Sequence, residues 1–132
     1  MKRFLSLFFI CFALAFTGCK EDTKTDIQVV TPEEMQELSE LEDVQLVDVR
    51  TPQEFDDGYI ANAQNIDYNS PSFDAEIEKL DKSKPVIVYC EKGSRSAKCA
   101  KKMKDAGFVK IYDLEGGLAK WKYKGFDIKS LP

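Results

Sequence analysis

Residues 86–96 are the most informative stretch for the fold, and they read Val-Ile-Val-Tyr-Cys-Glu-Lys-Gly-Ser-Arg-Ser. Its first four residues are apolar and mostly β-branched, a pattern typical of a buried strand. A short polar turn follows Cys90, and residues 95–106 are predicted to form a helix that ends at Gly107. The stretch therefore predicts a thiol at the carboxyl end of a strand, facing the amino end of a helix. Backbone N–H groups there favour the thiolate, which is the nucleophilic form.

Composition indicates one globular domain and excludes several classes of function. The chain has 132 residues, of which 43% are hydrophobic and 32% charged, and its formal net charge is −4. This length is enough for a modest core, and the acidic balance argues against nucleic-acid binding. The chain has no histidine, which excludes Cys–His and Ser–His catalytic pairs and most zinc chemistry. We expect no metal and no other cofactor.

The N-terminus resembles the signal sequence of a bacterial lipoprotein. Two basic residues precede an apolar run over 4–16, which is shorter than a typical membrane span and is typical of a secretory signal. Residues 14–19 read Leu-Ala-Phe-Thr-Gly-Cys and resemble a lipobox, which implies that Cys19 carries the lipid. Residues 1–18 are then a signal peptide, and residues 19–26 form a polar tether. An ordinary signal peptide and an uncleaved anchor remain open.

The residue after the lipobox cysteine bears on localisation. By resemblance to enterobacterial sorting rules, Lys20 favours the outer membrane over retention in the inner membrane. Residues 20–22 also resemble the surface-export tag of some Gram-negative lipoproteins. We therefore expect a cell-envelope protein on the periplasmic or surface face of the outer membrane. Its contact with the membrane is expected through the lipid anchor only.

Strands and helices are predicted to alternate along the rest of the chain. The predicted strands span 27–30, 45–49, 64–67, 85–89 and 110–113, and the predicted helices begin near 32, 52, 73, 95 and 116. This order predicts an α/β domain over 27–132, with a central parallel five-stranded sheet and helices on both faces. Ligand sites in such sheets lie at the carboxyl ends of strands. The position of Cys90 therefore makes it the candidate functional residue.

The turn after Cys90 has the composition of an anion cradle. Gly93 permits a tight turn, and Ser94 and Ser96 are expected to cap the helix. Successive backbone N–H groups in such a turn can bind an anion. Cys90 would then take up a second sulfur as a persulfide held by those groups. The open alternative is a buried structural cysteine, which is the commoner role of a free cysteine.

Charged residues of both signs follow Cys90 in the loop. Lys92 and Arg95 would add positive charge for an anionic sulfur donor. Glu91 lies directly beside Cys90, where it either opposes such a donor or points to solvent. No external base is required by this arrangement, which agrees with the absence of histidine.

Residues 27–131 resemble a single-domain rhodanese, a family of sulfurtransferases. The resemblance is carried by short motifs in the family's order: Asp-Val-Arg at 48–50, Glu-Phe at 54–55, Gly-Tyr-Ile at 58–60, Cys-x-x-Gly-Ser-Arg-Ser at 90–96, Gly-Phe at 107–108 and Leu-x-Gly-Gly at 114–117. The loop from Cys90 to Arg95 has the length of the sulfur-transferring members, whereas the related phosphatases have one residue more. Tyr59 stands where the family usually has histidine.

The resemblance implies a rhodanese-like α/β fold and a thiosulfate sulfurtransferase-like enzyme. A sulfane sulfur would pass from a small anionic donor such as thiosulfate to a thiol or cyanide acceptor, through a persulfide on Cys90. Residues 91–96 would form the substrate-binding loop, and an envelope redox protein is a candidate partner. A non-enzymatic persulfide carrier or binding module of the cell envelope remains the open alternative.

Other conspicuous residues are interpreted as structural. We interpret Asp48 as a brace for the loop at a strand end, and Arg50 with Glu54 as an ion pair rather than a catalytic acid–base set. Cys99 is interpreted as a small buried residue of the helix. Its open alternative is a resolving thiol that forms a disulfide with Cys90.

Overall fold

A computed structural model describes residues 25–41 and 43–132 of the chain. The predicted signal peptide, the lipidation at Cys19 and most of the predicted tether lie outside the described residues. Within the described part, no helix is both long enough and apolar enough to cross a membrane.

Strands and helices alternate as predicted. The strands are β1 (Ile27–Val30), β2 (Gln45–Asp48), β3 (Gln64–Asn65), β4 (Val86–Tyr89) and β5 (Ile111–Leu114). The helices are α1 (Pro32–Leu41), α2 (Pro52–Asp57), α3 (Phe73–Ile77), α4 (Ser94–Asp105) and α5 (Gly117–Tyr123). β3 and α3 differ most from the prediction. Each is shorter than predicted, because the chain leaves the strand conformation after Asn65 and the helical conformation after Ile77.

The strands form one parallel sheet in the order β1-β5-β4-β2-β3. β4 lies at its centre, and all four of its residues are buried. Val86 and Val88 pack in one apolar cluster with α3 and α4, whereas Ile87 and Tyr89 pack in the other with α1 and α5. A strand covered on both faces reads as a continuous apolar run. The predicted five-stranded sheet with helices on both faces is therefore confirmed.

Local capping signals begin the first two helices. The Thr31 N–H donates to Glu34 Oε2 at 2.8 Å, and the Glu34 N–H donates to Thr31 Oγ1 at 3.2 Å, which together form a capping box. At α2, the Thr51 hydroxyl accepts from the Glu54 N–H at 3.3 Å. This cap starts α2 just beyond the end of β2. It thereby brings α2 beside the sheet edge where Cys90 lies.

Candidate active site

Cys90 follows the last residue of β4 and is almost completely buried, with 1% exposure. Its Sγ accepts a hydrogen bond from the Gly93 N–H at 3.0 Å and lies 3.5 Å from Ser96 Oγ. Gly93 has φ of 115°, a left-handed conformation that glycine adopts without steric cost. This conformation aims the Gly93 N–H at the sulfur. The loop thus supplies a backbone donor that stabilises negative charge on Sγ.

The two serines of the loop do not cap α4, contrary to the prediction. The N-cap position is Gly93, which has no side chain, and α4 begins at Ser94. Ser94 is exposed, whereas Ser96 is buried and its hydroxyl donates to the Gly93 carbonyl at 3.2 Å. The serines lie one and three positions inside the helix, so neither has the geometry of a cap. Ser96 instead contacts the Cys90 thiol.

The amino end of α5 holds the backbone of the Cys90 loop. The Leu118 N–H donates to the Cys90 carbonyl at 2.8 Å, and the Ala119 N–H donates to the Glu91 carbonyl at 3.0 Å. Gly117 adopts φ of 59°, and a Cβ placed on it would lie 2.4 Å from the Cys90 carbonyl oxygen. The sequence indicated Gly117 only as part of a motif. The structure gives the reason for this glycine, which is the close approach of two backbone segments.

A buried ion pair braces the end of β2. Arg50 donates to Asp48 from Nη2 at 2.7 Å and from Nε at 3.0 Å, and both side chains are buried. Burial opposes the charge of the guanidinium, but the Asp48 hydrogen bonds and charge outweigh it and raise the pKa of Arg50. Arg50 Nη2 also donates to the Gly58 carbonyl at 2.6 Å. The predicted role of Asp48 as a brace agrees with these contacts.

The predicted ion pair between Arg50 and Glu54 is wrong. Glu54 instead accepts two hydrogen bonds from Arg95, at 2.8 and 2.9 Å, while Arg50 turns back to Asp48. The Thr51 cap and the first turn of α2 carry Glu54 away from Arg50 and toward the first turn of α4. The positive charge of Arg95 is therefore neutralised by a carboxylate. Arg95 does not act as a free cation for a donor in this geometry.

Glu91 forms a partial ion pair next to Cys90. Its Oε2 lies 3.3 Å from Arg50 Nη1, and 36% of its side chain is exposed. Lys92 is exposed. A cavity of about 250 Å³ opens beside Glu91, with both signs of charge on its walls, and is lined by Arg50, Glu54, Asp57, Gly58, Glu91, Leu118 and Lys122. The surroundings of the loop are thus of mixed charge rather than strongly positive.

Cys99 and Tyr59 have packing roles in the structure. Cys99 is fully buried against the sheet, and burial raises the pKa of its thiol to about 12. Both described cysteines, Cys90 and Cys99, are free thiols. The interpretation of Cys99 as a small buried residue is therefore confirmed. Tyr59 stacks on Phe55 with ring centroids 4.3 Å apart.

One ionisable residue near the loop, Asp113, was not among the residues predicted for the site. It lies on β5 and is 7% exposed. The sequence signal was a carboxylate inside an otherwise apolar strand, two positions after Ile111. Only the register of the sheet shows which face of the strand carries it.

The chain is similar to known sulfurtransferases in sequence and in structure. The family model of the Rhodanese-like domain matches residues 31–124. Thiosulfate sulfurtransferase GlpE of Coxiella burnetii is 36% identical over 86 residues, which cover 65% of this chain and 78% of GlpE. The uncharacterized protein YqhL of Bacillus subtilis is 38% identical over 77 residues, which cover 58% of this chain and 60% of YqhL.

A solved structure agrees with these matches. The polysulfide-sulfur transferase homodimer of Wolinella succinogenes superposes with a TM-score of 0.67 and 31% identity, covering 82% of each chain. The residues matched by the family model contain β2 to β5, the Cys90 loop and α5, which are the parts that build the site. The chain therefore belongs to the family of rhodanese-like domains.

Proposed function

We propose that the protein is a sulfurtransferase that carries a sulfane sulfur as a persulfide on Cys90. The observation that carries this proposal is the hydrogen bond from the Gly93 N–H to Cys90 Sγ, inside a loop of sulfurtransferase length. This N–H is placed to stabilise negative charge on the sulfur, and the proposed chemistry requires no external base. The membership in the rhodanese-like family supports the same chemistry.

The transfer consists of two displacements at sulfur. The Cys90 thiolate attacks the outer sulfur of the donor, a new S–S bond forms, and the donor's own S–S bond breaks. With thiosulfate, sulfite leaves with the electron pair and the persulfide keeps one negative charge. A thiolate or cyanide acceptor then attacks the terminal sulfur, and the Cys90 thiolate leaves. No net oxidation occurs, because one sulfane sulfur moves between two nucleophiles.

We propose a small anionic sulfane-sulfur compound as donor, with thiosulfate as the probe. Backbone N–H groups of the Cys90 loop are the main donors to such an anion, since Glu54 neutralises Arg95 and Asp48 neutralises Arg50. Among similar proteins, one is named for thiosulfate and another for polysulfide. Both names describe a sulfane sulfur, which is the group that Cys90 would receive. The proposed acceptors are cyanide or a thiol, including that of an envelope redox protein.

The expected result of donor treatment is one added sulfur on Cys90. After incubation of the full chain with thiosulfate, the peptide that contains Cys90 gains about 32 Da, the mass of one persulfide sulfur. Cyanide then removes this mass and releases thiocyanate. Continuous thiocyanate production supports the enzyme, and loading followed by a single release identifies the non-enzymatic carrier. Absence of any adduct with thiosulfate, polysulfide or an organic persulfide contradicts the proposal.

We also propose that the protein is anchored in the cell envelope through a lipid on Cys19. The lipobox-like residues at 14–19 support this, and Lys20 supports the outer membrane. In a Gram-negative host, labelled palmitate is expected in the wild type and in Cys11→Ala, but not in Cys19→Ala. Cys11 is the matched control, since it lies in the apolar run over 4–16 and would be removed with the signal peptide. Equal labelling of Cys19→Ala contradicts the anchor.

A further inference from the structure

A buried carboxyl group lies beneath the Cys90 loop. Asp113 is 7% exposed, and its Oδ1 is buried with no hydrogen-bond partner in the described part of the chain. Asp113 pairs in register with Val88 of β4, so the two side chains lie on the same face of the sheet. Cys90 is two residues beyond Val88 on that face. The carboxyl group is therefore a diagonal neighbour of the nucleophile.

The groups around Asp113 come from three elements. α4 contributes the buried Ser96 hydroxyl and the Cys99 thiol, and β4 leads to the Cys90 thiol. On β1 the residue paired with Asp113 is the apolar Val29. The positive charge of Lys102 also acts on the Cys99 thiol and lowers its pKa, but less than burial raises it. Ser96 is thus the polar group between Asp113 and the nucleophile.

Burial makes the ionised form of Asp113 unfavourable. It raises the pKa of Asp113 above the usual range, and the Ser96 hydroxyl opposes this by favouring the carboxylate. A thiolate or persulfide on Cys90 and a carboxylate on Asp113 would be two like charges in a region of low dielectric constant. Two like charges so placed disfavour each other. The position of one proton on Asp113 therefore changes how easily the sulfur carries its charge.

We propose that Asp113 is a positioning residue that acts through Ser96 on the charge of the Cys90 sulfur. When Asp113 is neutral, the Ser96 hydroxyl is free to turn from the Gly93 carbonyl toward a charged Sγ 3.5 Å away. When Asp113 is ionised, its carboxylate attracts this hydroxyl and adds a negative charge behind the sulfur. As the pH rises and Asp113 ionises, negative charge on the Cys90 sulfur therefore becomes less favourable.

The effect on thiolate formation is independent of sulfur transfer, whereas its consequence for loading rests on the proposed function. The test therefore uses iodoacetamide, which is neutral and reacts with the thiolate. The alkylation rate of Cys90 is measured from about pH 5 to about pH 10 by mapping the Cys90 peptide of the full chain. Mapping separates Cys90 from the other cysteines. The Cys90→Ala variant verifies the assignment of the peptide.

Replacement of Asp113 by asparagine is expected to move the midpoint of this profile to lower pH. At neutral pH the alkylation of Cys90 becomes about threefold faster, which corresponds to a shift of about half a pH unit. Asp105→Asn is the matched control: Asp105 is an exposed carboxylate at the far end of α4. Its removal is expected to leave the midpoint unchanged because solvent screens it.

Asp113→Ser provides a second neutral variant of different size, and thermal melts establish that each variant is folded. The same downward shift is expected in both folded variants, and Ser96→Ala is expected to reduce the effect of Asp113→Asn. An unchanged or raised midpoint in both folded Asp113 variants overturns the proposal. If thiosulfate fails to load Cys90 while the alkylation midpoint still shifts, the proposed function fails and the role of Asp113 stands.

Discussion

Replacement of Cys90 by serine is expected to abolish sulfur loading and transfer. A hydroxyl is a far weaker nucleophile than a thiolate, and an adduct with an O–S bond between serine and the transferred sulfur is not a stable carrier. Loss of a nucleophile typically lowers turnover by at least about 1,000-fold. The change keeps nearly the same side-chain volume inside the loop, so the fold is expected to persist. Thiocyanate release and the mass of the Cys90 peptide measure the result.

Cys99→Ala is the control for this replacement. Cys99 is also a buried thiol and lies in the same apolar cluster as Cys90. Burial raises its pKa to about 12, so it forms little thiolate at neutral pH. The variant is expected to load sulfur on Cys90 as the wild type does. Retained loading in Cys90→Ser, or lost loading in folded Cys99→Ala, would show that the wrong thiol has been assigned.

Replacement of Gly117 by alanine is expected to cause the largest loss of stability among the glycines of the site. The new Cβ would lie 2.4 Å from the Cys90 carbonyl oxygen and 2.6 Å from the Glu91 carbonyl oxygen. Either α5 or the Cys90 loop must move, and the hydrogen bonds from Leu118 and Ala119 weaken. We expect a loss of at least about 3 kcal/mol in the free energy of unfolding, from backbone strain and this clash together.

The same replacement is expected to slow sulfur loading. A loop displaced by a few tenths of an ångström no longer aims the Gly93 N–H at Cys90 Sγ, and misplaced catalytic groups lower rates by about tenfold or more. Denaturant unfolding and single-turnover loading with thiosulfate measure the two effects separately.

Gly125→Ala is the matched control for Gly117→Ala. Gly125 also has a positive φ, of 83°, but a Cβ placed on it meets no atom within 4 Å. Its replacement therefore carries the conformational cost alone, about 1 kcal/mol. Sulfur loading is expected to be unaffected, because Gly125 lies beyond the end of α5. A Gly117 variant no worse than the Gly125 variant would refute the proposed contact with the loop.

Much of the fold was predictable because its signals are local. The capping box at 31–34 and the cap at Thr51 set the starts of α1 and α2 through hydrogen bonds over three residues. The apolar run of β4 indicates burial on both faces, as is expected for a strand at the centre of the sheet. The end of that run also located Cys90 at the carboxyl edge, which is where the structure has it.

The contacts between charged side chains were not predictable in the same way. The sequence places Arg50 and Glu54 one turn apart, a spacing that favours an ion pair on a regular helix. Arg50 precedes α2, however, and the chain changes direction at Thr51. Arg50 is thereby left with Asp48, and Glu54 reaches Arg95, which is 41 residues away in sequence. The choice of partner depends on how α2 and α4 meet.

From the sequence one obtains the alternation of strands and helices and the six-residue loop that begins at Cys90. These follow from side-chain periodicity, capping and residue spacing, which are properties of neighbouring residues. Tertiary structure alone decided the neutralisation of Arg95, the close approach of Gly117 to the loop and the burial of Asp113 beneath Cys90. Each of these depends on distances between segments far apart in the chain, and only the packed sheet and helices set those distances.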